Sequence, residues 1–262
     1  MTRSFDTSDT NVVTTPGGQR IHKNHAAQSE VVRADFYEVR SGVWCLVGNG
    51  LSNQTFIEAP EGIIAVDTCE SIEEMREALR RLREFTSAPI AAVIYTHFHY
   101  VEGTKAILEE GNHATPLPIY GHDKIAFNKS RALGEISPAY SRGLVEQFAI
   151  VMPLEGPDAR VNVGLGFFLK NPAHAPFTPG YIDATHLLGD KGSITVAGLP
   201  VQYLHSPSDS DDSINFYFPT IGTCVHNSVW PVLFNVFAIR GEEYRDPRVL
   251  IPGIDNIIKW AP

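Results

Sequence analysis

Cysteine is scarce in this chain: three residues in 262, at positions 45, 69 and 224. Three thiols so widely spaced exclude a disulfide framework and a zinc ribbon, and they read as reduced cysteines of a cytoplasmic protein. Long apolar runs are missing too. None approaches the roughly 18–20 residues of a membrane span, and the polar first 30 residues hold no apolar core of a secretory signal. Positive charge is short: 21 Lys and Arg stand against 30 Asp and Glu, a net charge of −9. With no basic patch, a nucleic-acid partner is not expected. The basic cluster from Arg76 to Arg83 is interleaved with Glu77 and flanked by Glu73, Glu74 and Glu84, the pattern of a solvated helix face. No internal repeat is visible.

Hydrophobic residues still make up 43% of the chain, enough for one large core. Residues 1–33, rich in polar and small side chains, read as a flexible N-terminal arm. Strands are expected over 36–47, around a turn at Ser41-Gly42, and over 53–58 and 63–66 as a hairpin. Residues 71–85 predict a helix. Ser71 and Glu74 make a capping box, and Ile72, Met75, Leu79 and Leu82 fall on one face. Residues 90–95 form a short apolar strand of a buried sheet. Helices are expected over 102–110 and 122–133, with a strand at 118–120 between them. The Pro- and Gly-rich stretch 134–188 reads as an insertion that covers a site. Strands return over 192–204, 214–218 and 223–225. A last helix begins at Asp246 with Pro247 in its first turn. Strands in two blocks, each followed by helices, favour two packed sheets over a doubly wound parallel sheet.

The residues that suggest chemistry follow strand ends. His97 and His99 are expected to alternate on an extended segment, sharing one face while Phe98 packs away. Two imidazoles so placed can bind one metal ion; hydrogen-bonded structural histidines are the alternative. Asp67, after the strand 63–66, can accept the second ring N–H of a ligating histidine or cap the turn before Ser71. Asp209 follows another strand in a Ser- and Asp-rich loop, where a carboxylate is either a metal ligand or turn chemistry. His113, His122, His174 and His186 show no pairing logic. Trp230, Phe234 and Phe237 suggest an apolar wall or plain core packing.

Residues 96–103, Thr-His-Phe-His-Tyr-Val-Glu-Gly, resemble the Thr-His-x-His-x-Asp-His-x-Gly motif of metallo-β-lactamase-fold proteins. Residues 51–58, 92–97, 215–219 and 233–241 with Arg245-Asp246 are similar to the alkylsulfatase branch, in order and spacing. The resemblance implies an α/β fold (α+β by some schemes), an αββα sandwich of two mixed sheets flanked by helices, over residues 34–262. It implies a site of two zinc ions that activate water for attack on a sulfate ester. His97, His99 and Asp209 match metal ligands, and Asn235 and Arg240 match the groups that hold the sulfate.

The departures are specific. Val101 stands where the family has an Asp ligand, and Glu102 where it has a His. Asn227 falls at the bridging glutamate, with His226 beside it as a substitute ligand, and the last His ligand would lie beyond Pro262. One or two zinc ions, with iron or manganese as alternatives, are expected on His97, His99 and Asp209, with His226 and Asn227 as further candidate ligands. A single ion is the arrangement these changes favour. Glu102 and Asp67 are the candidate catalytic groups, Glu102 as ligand or base. The leading expectation is a metal-dependent hydrolase of a small-molecule ester of a hydrophobic alcohol, with a homodimer left open. The alternatives are a non-hydrolytic binder of an anionic amphiphile and a non-haem iron enzyme.

Overall fold

The computed structural model describes residues 8–228 and 245–262. The chain enters through a small hairpin, β1 (Val12–Thr14) and β2 (Arg20–His22), and a helix, α1 (Lys23–Val31). This region differs from the unstructured arm expected. Its polar side chains find partners in the segment 154–166: Gln19 donates to the Leu154 carbonyl (3.0 Å), Arg20 N–H to the Pro157 carbonyl (3.1 Å), and His25 bonds Asn162 (3.2 Å). Partners so far along the chain leave no periodic signal.

The first block then runs as β3 (Asp35–Arg40), β4 (Val43–Val47), β5 (Gln54–Ala59), β6 (Gly62–Val66), α2 (Ile72–Leu82), β7 (Ile90–Ile94), α3 (Thr104–Glu110), β8 (Ile119–His122), α4 (Ile125–Leu133), α5 (Ser137–Gln147) and β9 (His186–Leu188). Its seven strands lie in sequence order in one sheet. Pairing is antiparallel from β3 to β6 and parallel from β6 to β9. The second block is β10 (Lys191–Val196), β11 (Leu199–His205), β12 (Ile214–Phe218), β13 (Thr223–Val225) and, after the undescribed stretch, α6 (Pro247–Trp260). This four-stranded sheet is wholly antiparallel, so one sheet is mixed and the other is not.

Alternation along β6 shows why the strands layer as they do. Ile63 and Ala65 join a core with Ile72, Met75, Leu79 and Leu82 of α2. Ile64 and Val66 join a second core with Val201, Ile214, Phe216 and Phe218 of the smaller sheet. A strand covered on both faces must be apolar throughout, as β6 and β7 are. The capping box forms: Ser71 Oγ accepts from Glu74 N–H (3.2 Å). On the outer face of the smaller sheet, Trp260 of α6 stacks on Tyr217 (5.4 Å). Gly253 allows that approach, since a Cβ there would lie 1.9 Å from Ser206 Oγ.

The stretch 134–188 is only partly irregular. Helix α5 lies within it without a clear sequence signal, because its apolar periodicity is weak and Gly143 alone of its residues is buried. Among the described residues, no helix is long and apolar enough to cross a membrane.

Candidate metal centre

The loops that follow β6 and β7 are laced together by backbone bonds. Asp67 N–H donates to the Ile94 carbonyl (2.8 Å), Thr68 N–H to Tyr100 O (2.7 Å) and Glu102 N–H to Cys69 O (3.1 Å). The lacing holds Asp67 (φ 58°) and Cys69 (φ 64°) in the left-handed region, strain of the sort found at functional sites. Gly103 completes it, because a Cβ there would sit 2.0 Å from the Thr68 carbonyl.

This lacing shapes the histidine segment. The strand stops at Ile94, His97 is extended, and Phe98–Tyr100 is a single 3₁₀ turn. The expected continuous strand is thus corrected: the Thr68 and Cys69 contacts pull residues 98–102 into a turn. The two rings still meet, edge to face with centroids 4.9 Å apart.

Asp209 comes to them from the connection between β11 and β12. Ile214 N–H donates to the Thr96 carbonyl (2.9 Å), which pins that connection to the histidine loop. His97 Nε2 lies 3.1 Å and His99 Nδ1 2.8 Å from Asp209 Oδ2. The three side chains are 1%, 8% and 12% exposed. Their donor atoms all fall within 4.8 Å of one another, the single such group among the described residues.

Contrary to the sequence expectation, Asp67 does not touch the imidazole directly. Its carboxylate accepts from Thr96 N–H (2.8 Å) and Thr96 Oγ–H (2.7 Å), and Thr96 Oγ in turn lies 2.8 Å from His97 Nδ1. A hydroxyl has one proton. Thr96 gives it to Asp67 and so accepts from His97 Nδ1–H. In the neutral ring His97 then turns the lone pair of Nε2 toward Asp209, 3.1 Å away, and the two repel unless a cation lies between them; that cation is a metal ion or, in the imidazolium, the Nε2 proton itself. Two histidines and a carboxylate are a donor set for a divalent ion, so the residues present fit a metal. Burial pushes the Asp67 carboxyl up to about 6, opposed by His97 and the Thr96 bonds.

Comparison with known proteins puts this geometry in context. No protein-family model matches the chain. It is 34% identical over 207 residues to a linear primary-alkylsulfatase of Pseudomonas sp. (strain ATCC 19151), across 77% of this chain and 38% of that protein. An (R)-specific secondary-alkylsulfatase of Pseudomonas sp. is 26% identical, across 88% of this chain and 35% of the relative. A stereoselective inverting sec-alkylsulfatase of Pseudomonas sp. superposes with a TM-score of 0.79 at 21% identity, over 89% of this chain and 37% of that one. A metallo-β-lactamase family protein from Thermus thermophilus gives 0.58 at 15% identity, over 85% and 71%. The chain is an alkylsulfatase-like protein of the metallo-β-lactamase fold. It spans less than two fifths of the length of the alkylsulfatases it matches.

The other residues singled out in this alkylsulfatase-like chain fall differently. Glu102 is turned away from the three donors. It pairs with Lys129 and accepts from Tyr181 N–H (3.1 Å), outside the three-donor group. Each of its carboxylate oxygens already holds one donor, Oε1 the Lys129 ammonium and Oε2 the Tyr181 amide. Val101 is fully buried in the core beneath the site. Asn227 accepts from Ser208 Oγ and donates to Ser213 Oγ (3.2 Å), bracing the Asp209 loop instead of joining the donor group. His226 lines a cavity of about 420 Å³ with His97, Asp67 and Tyr100, but lies outside the donor group. Burial lowers its pKa, and its Nδ1 accepts from Ser228 N–H (3.2 Å). Asn235, Arg240 and the aromatic wall at Trp230, Phe234 and Phe237 lie outside the described residues.

One site group has no sequence signal of its own. Arg245, 7% exposed, donates from Nε to the Asp209 carbonyl (3.1 Å) and from Nη2 to Asp209 Oδ1. In the sequence, Arg245-Asp246 stands out only as part of the family resemblance. No spacing rule connects an arginine to an aspartate 36 residues earlier.

Proposed function

We propose that the chain hydrolyses a sulfate ester of a hydrophobic alcohol at a centre holding one zinc ion. The convergence of His97 Nε2, His99 Nδ1 and Asp209 Oδ2 carries this reading. When bound there, a divalent ion supplies Lewis acidity and lowers the pKa of water. The protein's part is positional. Thr96 and Asp67 fix the ring orientation of His97. The cavity of about 420 Å³ beside His97 has apolar walls from Val31, Val32, Leu51 and Val225, which suit an alkyl chain. Asn235 and Arg240 hold the sulfate oxygens in this reading, on their resemblance to the family's anion-binding pair. The whole-length relatives are named as alkylsulfatases of linear primary and secondary esters, which supports the same substrate class.

The test is elemental analysis of the purified protein together with hydrolysis of a linear alkyl sulfate. Zinc near one equivalent with sulfate release supports the reading. Protein that carries no metal and gains no activity with added zinc, iron or manganese overturns it. Iron in place of zinc points to the non-haem iron enzyme instead, since two histidines and one carboxylate also suit that metal.

The ion pair of Glu102 with Lys129 favours one competing reading, an anionic amphiphile bound without hydrolysis, because it removes a second metal ligand. On that reading, replacing both His97 and His99 by Ala leaves amphiphile affinity unchanged.

A further inference from the structure

Asp209 is gripped from the side opposite the histidines. Arg245 reaches two separate acceptors on it: Nε meets the backbone carbonyl at 3.1 Å and Nη2 meets Oδ1. Oδ2 faces His97 and His99. An aspartate has two side-chain torsions, and a planar guanidinium bonded to both its carbonyl and one carboxylate oxygen restrains both of them. The grip is itself anchored. The next residue, Asp246, caps α6 by accepting from Arg248 N–H (2.9 Å), and Leu250 one turn on is 2% exposed. Gly253 then sets α6 against Ser206, at the start of the same loop that carries Asp209. The guanidinium therefore ties a docked helix to the ligand loop.

The charge balance also depends on it. A carboxylate 12% exposed is costly to bury alone. The buried guanidinium offsets that cost through Oδ1, while the imidazoles face Oδ2.

We propose that Arg245 is a positioning residue that presents Asp209 to the two histidines through a single oxygen, so that the three-donor set is assembled before a metal arrives. This rests on the metal-centre reading and adds a requirement to it. Without the grip, Oδ1 is released to swing toward the same ion, and the carboxylate becomes a loose or two-oxygen donor.

Cobalt(II) is the probe, because its visible absorption reports coordination independently of activity. Metal-free wild type, Arg245→Met and Arg245→Lys are titrated with cobalt, with circular dichroism to confirm folding. Loss of a group that orients a ligand typically weakens metal affinity about 10–100-fold. That range is expected for Arg245→Met, with altered visible bands. Arg245→Lys keeps the charge but loses the planar two-point grip. It is expected to bind cobalt about 10-fold more weakly than wild type, and it carries the test if the Met variant fails to fold. Variants that bind as tightly as wild type, with the same spectrum, overturn the positioning role alone. Wild type that binds no cobalt overturns the metal centre itself.

Discussion

His97 and Asp209 face each other across 3.1 Å, yet the chain holds them by opposite means. The histidine side is a backbone device. Its loop is laced to the one after β6 by three main-chain bonds, and its ring is set by a threonine hydroxyl one residue away. The aspartate side relies mainly on side chains: Arg245, Asn227 and the hydroxyls of Ser208 and Ser213 brace the connection between β11 and β12, beside the backbone bond from Ile214 to Thr96. Backbone lacing depends on strand ends and on the close approach that Gly103 permits. Side-chain bracing depends on residues brought from far along the chain. Substitution should therefore damage the two sides differently.

The largest effect is expected from the donors. Asp209→Ala and His97→Ala should each lower zinc affinity by more than about 100-fold, beyond the usual loss for an orienting residue, as read by calorimetric titration. Next comes Thr96→Val, which keeps the shape and removes the hydroxyl between Asp67 and His97. Zinc affinity should fall about 10–100-fold. A buried carboxylate that loses a bond should also cost about 1–3 kcal/mol in urea unfolding. Thr96→Ser should restore both, and if it does not, the hydroxyl is not what holds the ring.

A pH-dependent effect on stability, with no direct loss of a metal donor, belongs to Asp67. Its carboxyl is pushed up to about 6 by burial, above its ordinary 3.8. The folded state therefore binds this proton more tightly than the unfolded chain. The resulting contribution to stability is fully present below pH 3.8 and is lost as pH rises through about 6. The difference in unfolding free energy between metal-free wild type and Asp67→Asn should shift by about 3 kcal/mol over that window. A flat difference would show that the carboxyl is not so perturbed. The smallest effect is expected at Glu102. Glu102→Gln should leave zinc affinity unchanged, because its carboxylate is occupied by Lys129 and Tyr181 N–H. A marked loss would return Glu102 to the metal.

The same division explains what is legible in the sequence. Strands β3 to β7, the capping box at Ser71 and the start of α6 at Asp246 carry local signals, and each forms. The pairing of His97 with His99 is readable from their spacing, although that spacing points to a strand and the rings meet with His97 extended and His99 inside a 3₁₀ turn. Only contacts from the neighbouring loop select the turn. Glu102 reads as a metal ligand only through its place in the family motif, and the partner it holds here, Lys129, lies 27 positions later and leaves no local signal. Helix α5 and the ordered hairpin before α1 depend on packing that leaves no local pattern. Arg245 shows the limit most clearly: its role exists only once α6 docks on the loop around Ser206.

The central claim is that His97, His99 and Asp209 form one metal site. Calorimetric titration of metal-free protein with zinc tests it directly. One equivalent bound, and lost in His97→Ala, is the predicted result. No binding, or binding that survives the substitution, would contradict it.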